Sequence, residues 1–224
     1  MITVHHLNNS RSQRVLWLLE ELGLPYEIKH YQRDAKTMLA PPELRQIHPL
    51  GKSPVLTDGA LVVAESGAIT EYLVDRYGAG KGLAPERGTP ERLRYTYWLH
   101  YAEGSAMSPL LLKLVFDKIE TTPMPFFVKP VAKAISANVK KAFITPQITS
   151  HLNYLEAEIG KTTWFAGADF SAADIQLSFV VEAAAARGGL NASRPGLMGF
   201  LQRIHARPAY QRALARGGEY ALAA

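Results

Sequence analysis

Lys52, Ser53 and Pro54 stand at the mouth of an apolar run, Val55-Leu56, and Glu65-Ser66 follows after a short turn-rich stretch. Proline has no backbone N–H, so at the start of a strand it removes a ladder bond and favours an edge or a bend. That would leave the backbone groups of Ser53 free to pair with a ligand. Glu65-Ser66 opens an amphipathic stretch, so a hydroxyl and unpaired N–H groups would point outwards there beside a carboxylate. These parts offer extended backbone for a peptide, a pocket for an anion and a carboxylate for an ammonium group. A small zwitterionic peptide matches that set. Another hydroxyl, Ser10, lies between a strand pattern and a helix pattern, where the helix dipole favours an anion. The same position suits a helix cap, and Ser12 competes for that role as the better-placed N-cap.

The elements that must position these residues follow from periodicity. Ile2 to Leu7 alternates like a half-buried strand, an alternation that lets only one of His5 and His6 face inwards. Val15, Leu16, Leu18, Leu19 and Leu22 fall at helical spacing, and Gly23 with Pro25 beyond it ends that helix. Tyr26 to Tyr31 reads as a second strand, and Pro41-Pro42-Glu43-Leu44 as the start of a short helix. Val55-Leu56-Thr57 and Leu61-Val62-Val63 flank Asp58-Gly59, a hairpin turn signal. Glu65 to Tyr77 then forms a helix with Ile69, Tyr72, Leu73 and Tyr77 inwards. The order is βαβαββα over residues 1–78, followed by a glycine-rich linker over 79–88 and an all-helical region over 89–224. In that region one long helix runs from Pro90 past Tyr101 towards Phe116, and Thr121 to Pro125 interrupts the pattern. A second long helix bends near Pro146 and ends at Gly160. Ser171 and Asp174 form a capping box with Phe170 and Ile175 as its staple.

Composition narrows the chemistry. The chain of 224 residues has no cysteine, so disulfides, cysteine–zinc sites and protein thiols are excluded, and any sulfur chemistry must come from a bound thiol. Its net charge of +5 is spread out, with no run of four basic residues, so a nucleic-acid partner is not expected, whereas an anionic ligand is. No apolar run is long enough to span a bilayer, and the first residues lack the pattern of a secretory signal, so a cytoplasmic setting is expected. None of the seven histidines falls in a metal-binding spacing, so no metal is expected.

The motifs Ser53-Pro54, Glu65-Ser66 and the run from His6 to Leu16 occur in the order found in the glutathione transferases, which this chain resembles along its whole length. The resemblance implies a thioredoxin-like first domain followed by an all-α domain, with glutathione as co-substrate. It implies a cis peptide bond before Pro54, with Ser53 offering its backbone to the cysteinyl residue of glutathione. Glu65 would take the α-ammonium, Ser66 the γ-glutamyl carboxylate, and Lys52 the glycyl carboxylate. Serine-type members place the sulfur-activating hydroxyl four residues before the helix position held here by Arg14, which selects Ser10. The energetics are adequate. A free thiol has a pKa of about 8.5, and making half of it thiolate at pH 7 needs about 2 kcal/mol. A hydrogen bond to a charged sulfur supplies about 1.5–3 kcal/mol and the helix start about 0.3–1 kcal/mol.

The family likeness also implies a cytosolic homodimer and a second substrate that is a hydrophobic electrophile or a peroxide. Tyr97, His100, Tyr101 and Met107 lie on the helix that borders the electrophile pocket in relatives, although an aromatic helical row more often belongs to a core. The Pro-Met-Pro-Phe-Phe break at 123–127 resembles the bacterial and fungal branch, where it could cover the pocket or extend the dimer contact. Two rival functions remain: a glutathione-dependent peroxidase or disulfide reductase, and a non-catalytic ligand-binding protein of the same fold.

Overall fold

The computed structural model describes residues 1–218 and 220–222. Strand β1 (Ile2–Leu7) takes the centre of a four-stranded mixed sheet of order β2-β1-β3-β4. It runs parallel to β2 (Tyr26–Tyr31) and antiparallel to β3 (Val55–Asp58), which pairs antiparallel with β4 (Leu61–Ala64). Because β1 has neighbours on both edges and cover on both faces, His5 and His6 are both buried. The expectation that only one of them faces inwards is overturned.

Helix α1 (Ser12–Leu22) follows β1, and every residue from Ser12 to Leu19 is buried. It ends in a Schellman motif: Gly23 at φ +69 donates to the Glu20 carbonyl and Leu24 to the Leu19 carbonyl. A short helix α2 (Leu44–Ile47) precedes the hairpin. The register pairs Asp58 with Leu61, so the two-residue turn is Gly59-Ala60, one place later than the Asp58-Gly59 signal suggested. Gly59 takes φ +61 at the first turn position, where glycine is favoured. Asp58 therefore closes the strand, and its carboxylate accepts hydrogen bonds from Tyr72 and Tyr77 of helix α3 (Ser66–Tyr77). Those two tyrosines are half-buried and pack against the core, with their hydroxyls tethered at its edge. Thr70 and Val74 are fully buried beside Ile69 and Leu73.

The remaining elements are helical. Helix α4 (Pro90–Tyr101) starts at Thr89, whose hydroxyl accepts the Arg92 N–H, and continues as α5 (Met107–Thr121). A π-turn at Ala102–Ala106 joins the two, a widening that the apolar periodicity did not reveal. Helices α6 (Lys129–Val139) and α7 (Thr145–Ile159) are joined by a second π-turn at Lys140–Ile144. This is the expected bend: Pro146 cannot donate backwards and its ring crowds the preceding turn, so the helix widens just ahead of it. Helix α8 (Ala172–Ala183) is buried at every position. Its Asp174 accepts N–H bonds from Ser171 and Phe165, and complete burial pushes its carboxyl up to about 6 despite them. Phe170 packs against Trp17 and Trp164, with the Arg207 guanidinium 3.6 Å from its ring centre. Helices α9 (Pro195–His205) and α10 (Pro208–Gly217) complete the described fold. One continuous core, including Leu16 and Trp17 of α1, Trp98 of α4, Phe200 of α9 and Tyr210 of α10, joins the α/β part to the helical part.

Candidate functional site

The strand register brings the predicted residues to one end of the sheet. Val55 pairs with His5 near the end of β1 and with Ala64 at the end of β4. The loop after β1, the residues before β3 and the start of α3 must therefore lie side by side. That topology brings Ser10, Ser53-Pro54 and Glu65-Ser66 to the same end of the sheet, although they are distant in sequence. The Ser53–Pro54 peptide bond is cis, as the resemblance implied. The Ser53 hydroxyl donates to the His5 carbonyl at 2.9 Å, which fixes its side chain to β1. Lys52 is exposed beside it, and Pro54 is buried.

At the end of β1 the chain turns through Asn9 at φ +49, whose side-chain oxygen accepts the Ala221 N–H at 2.7 Å. Ser10 follows and is only 4% exposed. Its hydroxyl oxygen accepts the Ser12 N–H at 3.2 Å and lies 2.7 Å from the Ser12 hydroxyl. Ser12 is not the N-cap that its position suggested. It sits in the first turn of α1, and its hydroxyl turns back towards the strand, 2.8 Å from His6 Nδ1. Ser10 rather than Ser12 satisfies the N–H at the helix start. Burial, aided by His30, drives His6 down to about 4, against a smaller opposing pull from the Gly217 carbonyl, so its ring is neutral at physiological pH.

The start of α3 has a different support. Glu65, exposed and just before the helix, holds φ +68 and ψ 122, a conformation that non-glycine residues rarely adopt and that clusters at functional sites. Ser66 is buried, and its hydroxyl oxygen accepts from Arg14 Nη2 at 2.9 Å and from Gln176 Nε2 at 3.2 Å. A hydroxyl has two acceptor positions and one proton, so with both positions filled the Ser66 proton is free to point at an anion. Arg14 also donates to the Gln176 carbonyl and, at 2.6 Å, to Glu103 Oε1. Glu103 stands on the π-turn between α4 and α5 and takes Arg11 as a second partner. Partial burial pushes the Glu103 carboxyl up, but Arg14 and Arg11 outweigh this and hold it below its ordinary value. A cleft of about 430 Å³ opens here, between Glu65, Ser66 and Glu71 on one side and His100, Glu103 and Gln176 on the other.

Arg14, Glu103 and Gln176 were missed as site residues in the sequence. Arg14 left a signal: it shares a helical face with Leu18 and Leu22, and an arginine on an apolar stripe needs a buried partner. Glu103 left none, because the π-turn that aims it is invisible to periodicity. The aromatic row of α4 divides. Tyr101 and Met107 are buried, and the Tyr101 hydroxyl lies 2.6 Å from His151 Nδ1. Tyr97 and His100 line a groove of about 550 Å³ that Tyr101 also reaches.

A mixed four-stranded sheet whose helix starts are prepared for anions, joined to a helical layer, defines a thioredoxin-like fold with an appended all-α part. Comparisons with known proteins agree. The family model described as glutathione S-transferase, N-terminal domain, matches residues 1–75, and that described as glutathione S-transferase, C-terminal domain, matches residues 120–215. Glutathione S-transferase 3 of Schizosaccharomyces pombe is 37% identical over 82% of this chain and 74% of its own length. The crystal structure of a glutathione S-transferase from Actinobacillus pleuropneumoniae superposes with a TM-score of 0.79 at 33% identity, covering 99% of this chain and 94% of that one. A sphingomonad glutathione S-transferase solved in complex with glutathione shares the fold, with a TM-score of 0.73 at 24% identity over 96% of this chain and 98% of that one. The chain belongs to the glutathione S-transferase family.

Proposed function

We propose that this protein is a glutathione transferase in which Ser10 holds the thiol of bound glutathione as thiolate for attack on a small hydrophobic electrophile. The observation that carries this reading is the meeting of Ser10, the cis Ser53–Pro54 bond and Glu65-Ser66 at one end of the sheet. Residues 1–78 form the glutathione-binding domain, 79–88 the linker and 89–224 the helical domain. Ser66 donates its free proton to the γ-glutamyl carboxylate, and Glu65 takes the ammonium. The Ser53 backbone pairs with the cysteinyl residue, while the exposed Lys52 takes the glycyl carboxylate. The thiol proton leaves to water on binding. The thiolate then forms a carbon–sulfur bond, and the leaving group departs with its electron pair. The intact anion-ready hydroxyl at Ser66 favours this over a non-catalytic role.

The protein acts as a cytoplasmic homodimer with a detoxifying role, as is usual in its family. Leu61 and Val62 on the edge strand and Leu93 and Tyr97 on α4 are exposed apolar residues available for a second copy, which light scattering would detect. Isothermal titration with glutathione and assays with aryl-halide and organic hydroperoxide substrates test the main reading. Ser10→Ala should lower turnover at least about tenfold, about 1.4 kcal/mol in the barrier, while glutathione still binds. Normal turnover in that variant would refute the role of Ser10. Activity confined to hydroperoxides would instead support a glutathione-dependent peroxidase.

A further inference from the structure

We propose that the outer face of α6, with the Phe126-Phe127 tip ahead of it, docks onto the surface of a lipid bilayer that carries anionic headgroups. The proposal makes no use of Ser10 or of the glutathione site.

That face is bare. Within α6 only Ser136 is buried. The helix rests on α5 through this serine, whose hydroxyl donates to the Phe116 carbonyl at 3.2 Å, and through Lys140 just beyond its end, which bridges Asp117 and Glu120. Val131 and Ile135 recur four residues apart, which puts them on one stripe of the helix, and both are exposed. Phe127 extends the same spacing into the preceding turn, where Phe126 and Phe127 are 87% and 67% exposed. These rings are held outwards rather than left loose. Pro123, Pro125 and Pro130 fix the backbone around them, and the Val128 N–H closes the turn onto the Pro125 carbonyl at 3.0 Å. The two rings meet edge-on at 5.6 Å. A contiguous apolar surface of this kind marks a contact site.

Charge selects what covers it. Between Glu120 and Glu156 the chain has no aspartate or glutamate, whereas it has Lys129, Lys133, Lys140 and Lys141. Lys140 neutralises Asp117 and Glu120, and Lys113 shares Asp117. Lys129, Lys133 and Lys141 are exposed and make no ion pair among the described residues. A second copy seated face to face would set these lysines against their own counterparts with no carboxylate between them, since a two-fold contact matches a patch with itself. An anionic leaflet removes that conflict. It attracts lysines near its surface, and it takes phenylalanine and aliphatic side chains into the boundary between headgroups and acyl chains. No helix among the described residues is long and apolar enough to cross a membrane, and the proposed contact is peripheral. Its consequence is access. Apolar electrophiles partition into bilayers, so a protein seated there meets them at a raised local concentration.

The test is co-sedimentation of the full chain with large vesicles of phosphatidylcholine, alone or mixed with phosphatidylserine. The mixed vesicles should carry the protein down and the neutral ones should not, and added salt should weaken the binding. Lys129→Gln combined with Lys133→Gln should weaken it roughly tenfold to thirtyfold. Phe126→Ser combined with Phe127→Ser should weaken it at least about tenfold. Both double variants should keep the wild-type thermal midpoint, because all four side chains are exposed. Failure of the mixed vesicles to retain the wild-type protein would overturn the proposal. Equal retention by neutral vesicles would do the same. Binding that needs the lysines but ignores the phenylalanines would also overturn it, since any polyanion would then serve. Light scattering without vesicles covers the remaining alternative: a smaller particle in the phenylalanine variant would show that a second copy occupies the face, and no bilayer contact would be left to it.

Discussion

Two strand-to-helix corners share one end of the sheet, each presenting a buried serine, yet they are supported in opposite ways. The corner at α1 backs Ser10 with neutral groups, the Ser12 hydroxyl and the His6 ring. The corner at α3 backs Ser66 with a charged one, the guanidinium of Arg14, balanced by Glu103 from the helical part. Charge suits the site for a carboxylate, which arrives fully ionised and stays so. A thiol must change its protonation state on binding, and a fixed cation beneath it would hold it whether or not the electrophile had arrived. A neutral, oriented hydroxyl stabilises the thiolate by about the amount the titration requires and leaves it reactive. The comparison teaches that position at a helix start does not set a serine's role; the group behind it does.

The largest effect should come from breaking the charged corner. Arg14→Met leaves Ser66 without its main donor and Glu103 with Arg11 alone, and removing one partner of a buried pair costs about 3–5 kcal/mol. The lower end is expected here because Glu103 keeps Arg11. Urea unfolding should show an earlier midpoint with an unchanged slope, and a midpoint equal to wild type would show that the charge is not needed. The neutral corner should be exposed by acid. The unfolded chain protonates His6 near its ordinary 6.5, whereas the folded chain resists until about 4. Stability from this residue is therefore complete above pH 6.5 and is lost as the pH falls towards 4, by about 3 kcal/mol. Asp174 works the other way over nearly the same range, since its raised carboxyl favours the folded state as it protonates below about 6. His6→Asn should accordingly make the acid limb of the stability profile shallower than in the wild type, leaving the falls due to His5, His151 and the depressed carboxylates such as Glu103. Equal profiles in the two proteins would show that His6 does not titrate as described. The smallest effect sharpens the comparison. Ser66→Ala removes one hydrogen bond to a charged group, about 1.5–3 kcal/mol, so glutathione should bind at least about tenfold more weakly. The thiol pKa of the glutathione that does bind should stay at its wild-type value, in contrast to Ser10→Ala.

Much of the first region is legible in the sequence because its signals are local. Apolar spacing marks α1, Gly23 ends it with a left-handed residue, and Asp58-Gly59 marks the hairpin to within one residue. Errors fall where a neighbour supplied from elsewhere changes the outcome. His5 and His6 both go inside because β1 is central, and Tyr72 and Tyr77 stay half-buried at the core's edge because Asp58 offers their hydroxyls a carboxylate. Ser12 gives up the N-cap because His6 lies across from it.

The sequence by itself determined the order of elements, the absence of a protein thiol and the serines on which a borrowed sulfur could rest, since composition and short-range spacing depend on nothing beyond the chain's own neighbours. Only the tertiary structure decided what stands behind each serine. Arg14 and Glu103 are 89 positions apart, and Ser66 and Gln176 are 110 apart. Contacts across such separations are set by how helices dock and by a π-turn that rotates Glu103 into place, and no periodicity along the chain records either.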